Sequence, residues 1–376
     1  MSSAASDART GLIWARKGRG RAARALRTLL LAAGSPAAVR ALSPEEAARI
    51  AGEDRGVVAP LVEGEEGDEL PEDARRLRDS GARVLFLTDP GYPALLREIH
   101  DPPPVLFARG LAYPDTPAIA VVGARRASRA GLDAARALAA GLAEAGVNVV
   151  SGFARGIDAA AHRAALDAGG LTVAVFGSGI DVCYPPEQEG LLETLLAAGV
   201  ALSEFPMGTE PEPWNFPVRN RIIAGLARIV CVVEAAEKSG SLITARCATG
   251  YGRDVAAVPG SILSPGASGS NALLKDGAIL VRNADDLLQE LPEEDRRRLR
   301  RSVPEREAMA VPDHLSPDAT ALLSVLDTDE AKDADTLLKV TGLGAARFSA
   351  ALVHLELEGL VTVLPGALFV RARAKS

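Results

Sequence analysis

The sequence predicts an α/β protein with a doubly wound, mostly parallel Rossmann-like sheet, an N-terminal helical module and a C-terminal winged helix. Two observations predict the sheet: a strand, turn, helix pattern repeats over residues 117–291, and each strand is a continuous run of valine, isoleucine and alanine. Such runs are typical of parallel strands that helices cover on both faces. A third observation, helices followed by a hairpin after residue 315, predicts the winged helix.

The composition sets the size of the cores and the sign of the charge. The chain has 376 residues, 48% of them hydrophobic, so it can bury the cores of two or three domains. A formal net charge of -7 argues against indiscriminate coating of nucleic acid, so any such contact should come from a local basic groove. Neither disulfides nor a zinc site is predicted, and a cytoplasmic location is expected, because no C-x-x-C pair joins Cys183, Cys231 and Cys247.

Residues 1–82 are predicted to form the helical module and its connection to the sheet. Basic residues at 16–27 precede a short apolar run at 29–33, which favours a helix with a basic face over a targeting segment. Residues 43–46 have the sequence of a capping box with proline at the first helical position. Because no apolar stretch approaches the length of a membrane span, we expect no membrane association.

Residues 83–291 are predicted to form the Rossmann-like domain. After a strand-like segment at 84–87, the apolar residues of 89–110 indicate a packed connection rather than a solvated linker. Seven strands are then predicted, at 118–122, 147–150, 171–176, 200–202, 229–233, 255–258 and 278–281. Ligands of such sheets bind beyond the carboxyl ends of the strands, so the turns that follow these strands form the candidate site.

The chain after the sheet is predicted to contain a linker and a small domain. Residues 292–314 are dense in charge and lack an apolar period, which predicts a charged linker or a solvated helical extension. Residues 315–376 are predicted to be the winged-helix domain, with helices at 316–326, 335–340 and 345–358 and a hairpin at 360–370. The third helix offers Arg347 and His354 against Glu356 and Glu358, which suits a protein contact better than a DNA major groove.

The turn at residues 123–128 follows the first of the seven strands. After Gly123 it lacks the second and third glycines of the dinucleotide fingerprint, so neither NAD nor another cofactor is predicted. Arg125 and Arg126 can present forked donors to phosphate, while Ser128 caps the helix that begins there. The alternative is a surface turn with solvated arginines.

The turn after the second strand contains Ser151, Gly152, Arg155 and Gly156. Because both turns open a helix at the same edge of a parallel sheet, their unpaired N–H groups are predicted to hold phosphate. Asp158 and His162 follow on one helix face, and we expect them to support the turn rather than to perform acid–base catalysis. With four histidines and no ligand spacing, no metal site is predicted.

Residues 214–221 place two aromatic side chains beside two arginines and Asn220. Phe216 or Trp214 can stack on an unpaired base, with Arg219 and Arg221 on the nucleic-acid backbone. The sequence supports equally well a structural alternative to base stacking. In this alternative Phe216 closes the end of the sheet, and an arginine pairs with Glu204 or Glu234.

A further anion cradle is predicted where a helix follows another strand, at Lys238, Ser239, Gly240 and Ser241. The GK[ST] ending of a P-loop is absent, so hydrolysis of nucleoside triphosphates is not predicted.

The motifs together resemble one family. In order and spacing, DPGYP, VVGARRAS, SGFARGIDAAAH, YPP, SEFP, FPVRNRIIAGLA, VVEAAEKSGSLITA and VPG closely resemble the DNA-processing protein A (DprA/Smf) family over about residues 87–291. The resemblance implies binding of single-stranded DNA, a homodimer, delivery of the strand to the RecA recombinase in natural transformation, and no catalytic residue. It places in the strand-binding pocket Arg125, Ser151, Gly152, Phe216, Arg219, Asn220, Arg221, Ser239, Gly240 and Ser241.

One stretch departs from the family pattern. Some relatives carry a lysine shortly before the phenylalanine of FPVRNR, whereas residues 210–215 of this chain are acidic and apolar. Trp214 is predicted to supply stacking in place of the missing basic contact.

We therefore predict a non-enzymatic protein that binds single-stranded DNA, protects incoming strands and loads RecA in natural transformation and recombination. The alternative is a nucleotide-processing enzyme that resembles the lysine-decarboxylase-like phosphoribohydrolases, whose sheet is similar. The SGSLITA turn lacks the P-G-G-x-G-T pattern of those enzymes. Release of a free base from a nucleoside monophosphate would favour this alternative.

Overall fold

A computed structural model of the chain describes residues 3–63, 70–302, 315–326, 332–364 and 368–372. Two compact units are present, Met1–Arg300 and Arg301–Ser376. Within the described ranges, no single helix is long and apolar enough to cross a membrane, although one bent pair, Ala334–Thr341 with Ala345–Leu357, passes the same test of length and composition.

The first part of the chain is helical, as predicted. Its six helices are α1 (Ser3–Lys17), α2 (Arg21–Ala33), α3 (Pro36–Arg40), α4 (Pro44–Ala51), α5 (Arg55–Val62) and α6 (Leu70–Ser80). The predicted capping box begins α4, because Ser43 and Glu46 each accept a hydrogen bond from the backbone N–H of the other.

The helical module does not have a core of its own. The buried Trp14 indole N–H donates to the Leu61 carbonyl at 2.8 Å, and its ring meets Phe86 of the sheet edge-on, with centroids 5.5 Å apart. Leu26 and Leu30 of α2 belong to the same buried cluster as the sheet strands. The module and the sheet therefore form one compact unit, whereas the sequence predicted a boundary at residues 82 and 83.

Nine strands form one sheet. They are β1 (Arg83–Phe86), β2 (Val105–Gly110), β3 (Ala118–Val122), β4 (Asn148–Ser151), β5 (Thr172–Val175), β6 (Val200–Ser203), β7 (Ile229–Val232), β8 (Asp254–Ala257) and β9 (Ile279–Leu280). Their order in the sheet is β1-β2-β6-β5-β4-β3-β7-β8-β9. The seven predicted strands are β3 to β9, and they are parallel to one another. The sheet class is thus confirmed.

The stretch predicted as a packed connection extends the sheet instead. Strands β1 and β2 pair antiparallel, and β2 pairs antiparallel with β6 at the sheet edge. Leu106 and Phe107 are fully buried there, which accounts for the apolar sequence that indicated packing.

Helices cover both faces of the sheet. The remaining helices of this unit are α7 (Ala94–Arg97), α8 (Arg129–Glu144), α9 (Ile157–Asp167), α10 (Glu189–Ala198), α11 (Asn215–Leu226), α12 (Ser241–Gly250), α13 (Ser268–Lys275), α14 (Ala284–Gln289) and α15 (Glu293–Ser302). Helices α2, α11 and α12 pack on one face, and α8, α9, α10, α14 and α15 on the other, where α1 and α6 of the N-terminal module also contribute at the β2 edge. Between β3 and β7 the strand order reverses, so the loops after these strands diverge and leave a crevice.

Of the two forms predicted for the charged segment, the structure shows the helical extension in its first part, although the helix is docked rather than solvated. Residues Glu293–Ser302 form α15, Leu299 of this helix belongs to the same buried cluster as residues of α8, and the buried Asp295 accepts a hydrogen bond from Arg228 Nε at 2.7 Å. One leucine and one buried ion pair dock the helix without an apolar period, so composition alone did not predict the docking. Residues 303–314 lie outside the described residues.

The second unit is a winged helix, as predicted. It contains α16 (Pro317–Ser324), α17 (Ala334–Thr341), α18 (Ala345–Leu357), β10 (Lys332–Asp333), β11 (Val361–Leu364) and β12 (Leu368–Arg371). The strand order is β10-β12-β11, so β10 adds a third strand to the predicted hairpin, whose turn is outside the described residues. On α18, Val353 and Leu357 are exposed, while Arg347 is paired with Asp318 through an Nε–Oδ2 contact of 2.8 Å.

Candidate nucleic-acid interface

The crevice at the point of strand reversal holds a groove of about 550 Å³. The loop after β3, the loop after β7 and the first turns of α11 form its walls, and we call it the switch-point groove. It brings together nine of the predicted site residues, namely Gly123, Arg125, Phe216, Arg219, Asn220, Lys238, Ser239, Gly240 and Ser241. Three segments that are distant in sequence therefore meet at one edge of the sheet, as the topology requires.

An arginine and an aromatic ring form one wall of the groove. The guanidinium carbon of the exposed Arg125 lies 4.6 Å from the centroid of the half-buried Phe216 ring, which is a cation–π contact. The Tyr184 ring is 5.7 Å from the same centroid. Gly177 lies against the other side of Phe216, where a Cβ atom would be 2.8 Å from ring carbon Cδ1. The sequence prediction missed Tyr184 and Gly177, although the YPP motif that contains Tyr184 was a usable signal.

The segment that leads into α12 has one unused backbone donor and one unpaired lysine in this groove. The Gly240 amide N–H has no acceptor, and the exposed Lys238 has no ion-pair partner, among the described residues. Ser239 and Ser241 share a hydrogen bond of 2.8 Å between their hydroxyl oxygens, and the side chain of Asn220 donates to the Gly240 carbonyl at 3.2 Å. A free N–H at a helix start, beside a lysine, favours a phosphate or carboxylate.

In the turns before α8 and α9, carboxylates of the chain itself occupy donors that were predicted to hold phosphate. The Glu234 carboxylate accepts from the Ser128 N–H at 3.0 Å and from its hydroxyl, while Ser128 caps α8 by accepting from the Gly131 N–H at 3.0 Å. The Asp158 carboxylate accepts from the N–H groups of Gly152 at 3.1 Å and Ala154 at 3.3 Å. Internal carboxylates therefore occupy the donors that the sequence assigned to a ligand.

Four other predicted site residues do not line the switch-point groove. Ser151 is fully buried and donates to the Val121 carbonyl at 2.7 Å. Arg155 is exposed but forms an ion pair with Glu187. Arg126 is exposed and is not among the residues that line the groove. Gly156 has a φ of 78° that favours glycine, in a place where a Cβ atom would collide with the Ala124 carbonyl.

Arg219 is a structural residue rather than a contact for phosphate. Its side chain is buried, and its Nη1 donates to the Gly152 carbonyl at 2.6 Å and to the Val175 carbonyl, so it ties the second turn to the end of β5. Burial lowers the pKa of Arg219 to about 10, against the opposing effect of Asp158. Gly152 is required between them, because a Cβ atom there would be 2.7 Å from Arg219 Nη2 and from Asp158 Oδ2.

Arg221 lies on the opposite side of α11 from the switch-point groove. It forms an ion pair with Glu204 and donates to the Asp101 carbonyl at 2.7 Å. The sequence left open whether Arg221 contacts nucleic acid or an arginine pairs with a glutamate, and the structure shows the pairing of Arg221 with Glu204. Arg219 and Arg221 are two residues apart on a helix, so they cannot both face one groove.

Asp158 and His162 belong to different hydrogen-bond networks. Burial raises the pKa of Asp158, and Arg219 together with the turn amides offsets part of that rise. The Thr172 hydroxyl donates to the Val149 carbonyl at 2.7 Å, so His162 Nδ1, 2.6 Å from that hydroxyl oxygen, must be the donor. The prediction that Asp158 supports the second turn is confirmed, whereas His162 is bound to the sheet. Within the described ranges, no three side chains are grouped to hold a metal ion.

The unfolding free energy of the first unit should fall as pH decreases from about 6.5. Burial lowers the pKa of His162 to about 3, so between pH 6.5 and 3 the unfolded chain binds more protons than the folded one. At pH 5 the unfolding free energy should therefore be about 2 kcal/mol lower than at pH 6.5 and above. Urea unfolding across this range should show a smaller slope in His162→Gln, and His100→Gln, at an exposed position, serves as the control. An equal slope in His162→Gln and the parent would contradict the assignment.

The fold and the site together define a class of protein. A doubly wound sheet carries, at its strand reversal, an exposed arginine against a half-buried phenylalanine, together with a lysine and a backbone N–H that have no partner among the described residues. These features define a Rossmann-like protein whose groove, at the carboxyl ends of its strands, is suited to anionic, phosphate-bearing ligands.

The chain belongs to the family described as DNA recombination-mediator protein A, whose sequence model matches residues 83–292. Residues 306–367 match the DprA winged helix domain. The chain is 37% identical to Protein Smf of Synechocystis over 76% of this chain and 80% of that protein, and 46% identical to DNA processing protein DprA of Streptococcus pneumoniae over 54% and 72%. The resemblance stated from the motifs is confirmed.

Two solved structures are similar to this chain. The structure of DprA from Streptococcus pneumoniae matches with a TM-score of 0.66 and 36% identity, over 75% of this chain and 98% of that one. The structure of DNA processing protein A from Helicobacter pylori matches with a TM-score of 0.50 and 28% identity, over 55% and 93%, and its description concerns a single-stranded DNA binding mode of that protein.

Proposed function

We propose that this protein binds single-stranded DNA in the switch-point groove. The observation that carries the proposal is the contact of the exposed Arg125 with the half-buried Phe216, in one groove with Lys238 and the unpaired N–H of Gly240. Phe216 stacks on a base, Arg125 contacts the adjoining phosphate, and Lys238 with the Gly240 amide contacts a second phosphate.

The chemistry of the groove favours a single strand over a duplex. A ring in a groove wall can stack only on a base whose face is free, and in a duplex the faces of the bases are covered by their neighbours. The net charge of -7 supports a local site over a general attraction to DNA. The single-stranded DNA binding mode described for the Helicobacter pylori relative supports the same choice.

The groove favours binding over catalysis. Its charged lining residues are Arg125, Asp158, Arg219 and Lys238, and Asp158 and Arg219 are already bound to the second turn. General acid–base catalysis requires a titratable pair within reach of a reacting group, and the two free residues are both cations. A binding role without a reaction accounts for every one of these groups.

The wider role that we propose is to protect incoming strands and to load the RecA recombinase in the cytoplasm, as a homodimer, during natural transformation and recombination. Membership of a family described as recombination mediators supports it. The winged helix is proposed to contact a protein, because α18 exposes Val353 and Leu357 and its Arg347 is neutralised by Asp318.

Titration against matched single- and double-stranded oligonucleotides tests the proposal. We expect the single strand to bind more tightly, with a logarithmic affinity that falls linearly as the logarithm of the salt concentration rises, by about 0.7 for each phosphate contacted. Size-exclusion chromatography during the titration reports the oligomer. Equal affinity for duplex and single strand would contradict the stacking argument, and release of free base from a nucleoside monophosphate would replace it with the enzymatic alternative.

A further inference from the structure

A second groove lies on the other side of α11. It has a volume of about 550 Å³, and the N-terminal module forms one wall while α11 and the loop before it form the other. We call it the arginine groove, because four arginines line it: Arg19, Arg24, Arg27 and Arg221. Its acidic lining residues are Asp101 and Glu204, so arginines exceed carboxylates by two in a chain of net charge -7.

The two acidic residues of this groove share one arginine. Arg221 forms ion pairs with Glu204 and, at 3.7 Å, with Asp101, and Tyr251 donates to the same aspartate at 2.6 Å. These contacts suffice to join α11 to the loop at Asp101. Arg19 and Arg27 act on the same two carboxylates only through space, Arg19 on Glu204 and Arg27 on Asp101.

Arg19 and Arg27 form no side-chain hydrogen bond or ion pair within the described residues, and Arg24 reaches Glu53 only at 3.7 Å. Burial lowers the pKa of Arg27; Asp101 offsets part of that effect, while Arg221 and Arg24 add to it. Arginine remains charged at neutral pH in spite of such effects. The groove therefore has an excess of positive charge that an anion would relieve.

The apolar wall of the groove is also unoccupied. Trp214 is 67% exposed, which is unusual for an indole, and Val218 is 47% exposed one helical turn further on. Trp214, Val218 and Arg221 follow the i, i+4, i+7 spacing of one helix face, while Phe216 and Asn220 lie on the face that lines the switch-point groove. The start of α11 is thus a ridge with one aromatic side chain in each groove.

We propose that the arginine groove is a second binding site for single-stranded DNA, which receives nucleotides of the strand after it crosses the ridge at the start of α11. Trp214 stacks on a base, and Arg19 and Arg27 contact the phosphates next to it. The proposal rests on the proposed function, because it extends the same strand. One strand can reach both grooves, because the helix between them is about 10 Å across with its side chains, a distance that a few nucleotides span.

The test compares oligothymidylates of about 6 and about 16 nucleotides, the range over which single-stranded sites of different size are separated. We expect Trp214→Ala and Arg27→Gln to bind the short strand like the parent and the long strand at least roughly fivefold more weakly. For Trp214→Ala, the loss of one stacked base accounts for that factor. Arg27→Gln should also reduce the salt slope by about 0.7 for the long strand only. Arg136→Gln, at an exposed position on α8, is the matched control.

Tryptophan emission gives a second measurement. The chain has two tryptophans, and Trp14 is buried while Trp214 is exposed, so quenching of the long-wavelength emission reports base stacking on Trp214. We expect the long strand to quench it and the short strand to leave it unchanged. If the parent binds DNA but both variants match it at every length, the second site is wrong and the first stands. If the parent binds neither strand, both proposals fail.

Discussion

Phe216→Ala is expected to weaken binding of single-stranded DNA by roughly 5- to 150-fold, because one base–aromatic stack is worth about 1–3 kcal/mol. The half-buried ring is supported by Gly177 on one side and contacts Arg125 on the other. Its loss removes both the stacking surface and the contact that orients the guanidinium. Fluorescence anisotropy with a labelled oligothymidylate at several salt concentrations measures the change.

Neighbouring arginines provide a matched control for this prediction. Arg125→Ala should weaken binding across all sequences and reduce the salt slope by about 0.7, since it removes one phosphate contact. Arg126→Ala removes the same charge one residue away, outside the groove lining, and should leave the affinity close to that of the parent. Equal losses in the two variants would mean that general charge, and not the groove, binds the strand.

Arg219→Met is expected to destabilise the first unit by about 3–5 kcal/mol, because it leaves the buried Asp158 carboxylate without its compensating cation. It also leaves two buried carbonyl oxygens without their donor. Urea unfolding followed by tryptophan emission is the appropriate measurement, since both tryptophans lie in the first unit.

A second substitution separates this structural role from a role in binding. Asp158→Asn in the Arg219→Met background should recover part of the lost unfolding free energy, because it removes the uncompensated charge. Arg219→Lys should remain destabilised, since an ammonium group cannot reproduce the fixed fork of donors. A normal unfolding midpoint for Arg219→Met, together with weakened DNA binding, would restore Arg219 as a phosphate contact.

The periodicity of the sequence predicted the sheet well and its edges less well. Continuous Val, Ile and Ala runs identified β3 to β9, because strands covered on both faces have no polar side. Strands β1 and β2 were not placed in the sheet, since pairing at an edge depends on a neighbour that the local sequence does not name. The same reason left the docking of α15 unpredicted, since it depends on the contacts of Leu299 and Asp295 with distant residues.

The sequence by itself determined the family, the sheet, the winged helix and the sheet edge at which the switch-point groove lies, because each follows from local patterns of residue type and spacing. Only the tertiary structure decided which polar groups remain for a ligand. Glu234 and Asp158 occupy two of the predicted anion cradles, and Arg219 is buried, whereas Arg125 and Lys238 stay free. A donor can serve a ligand only if no internal acceptor reaches it first, and that is decided by packing between residues distant in sequence.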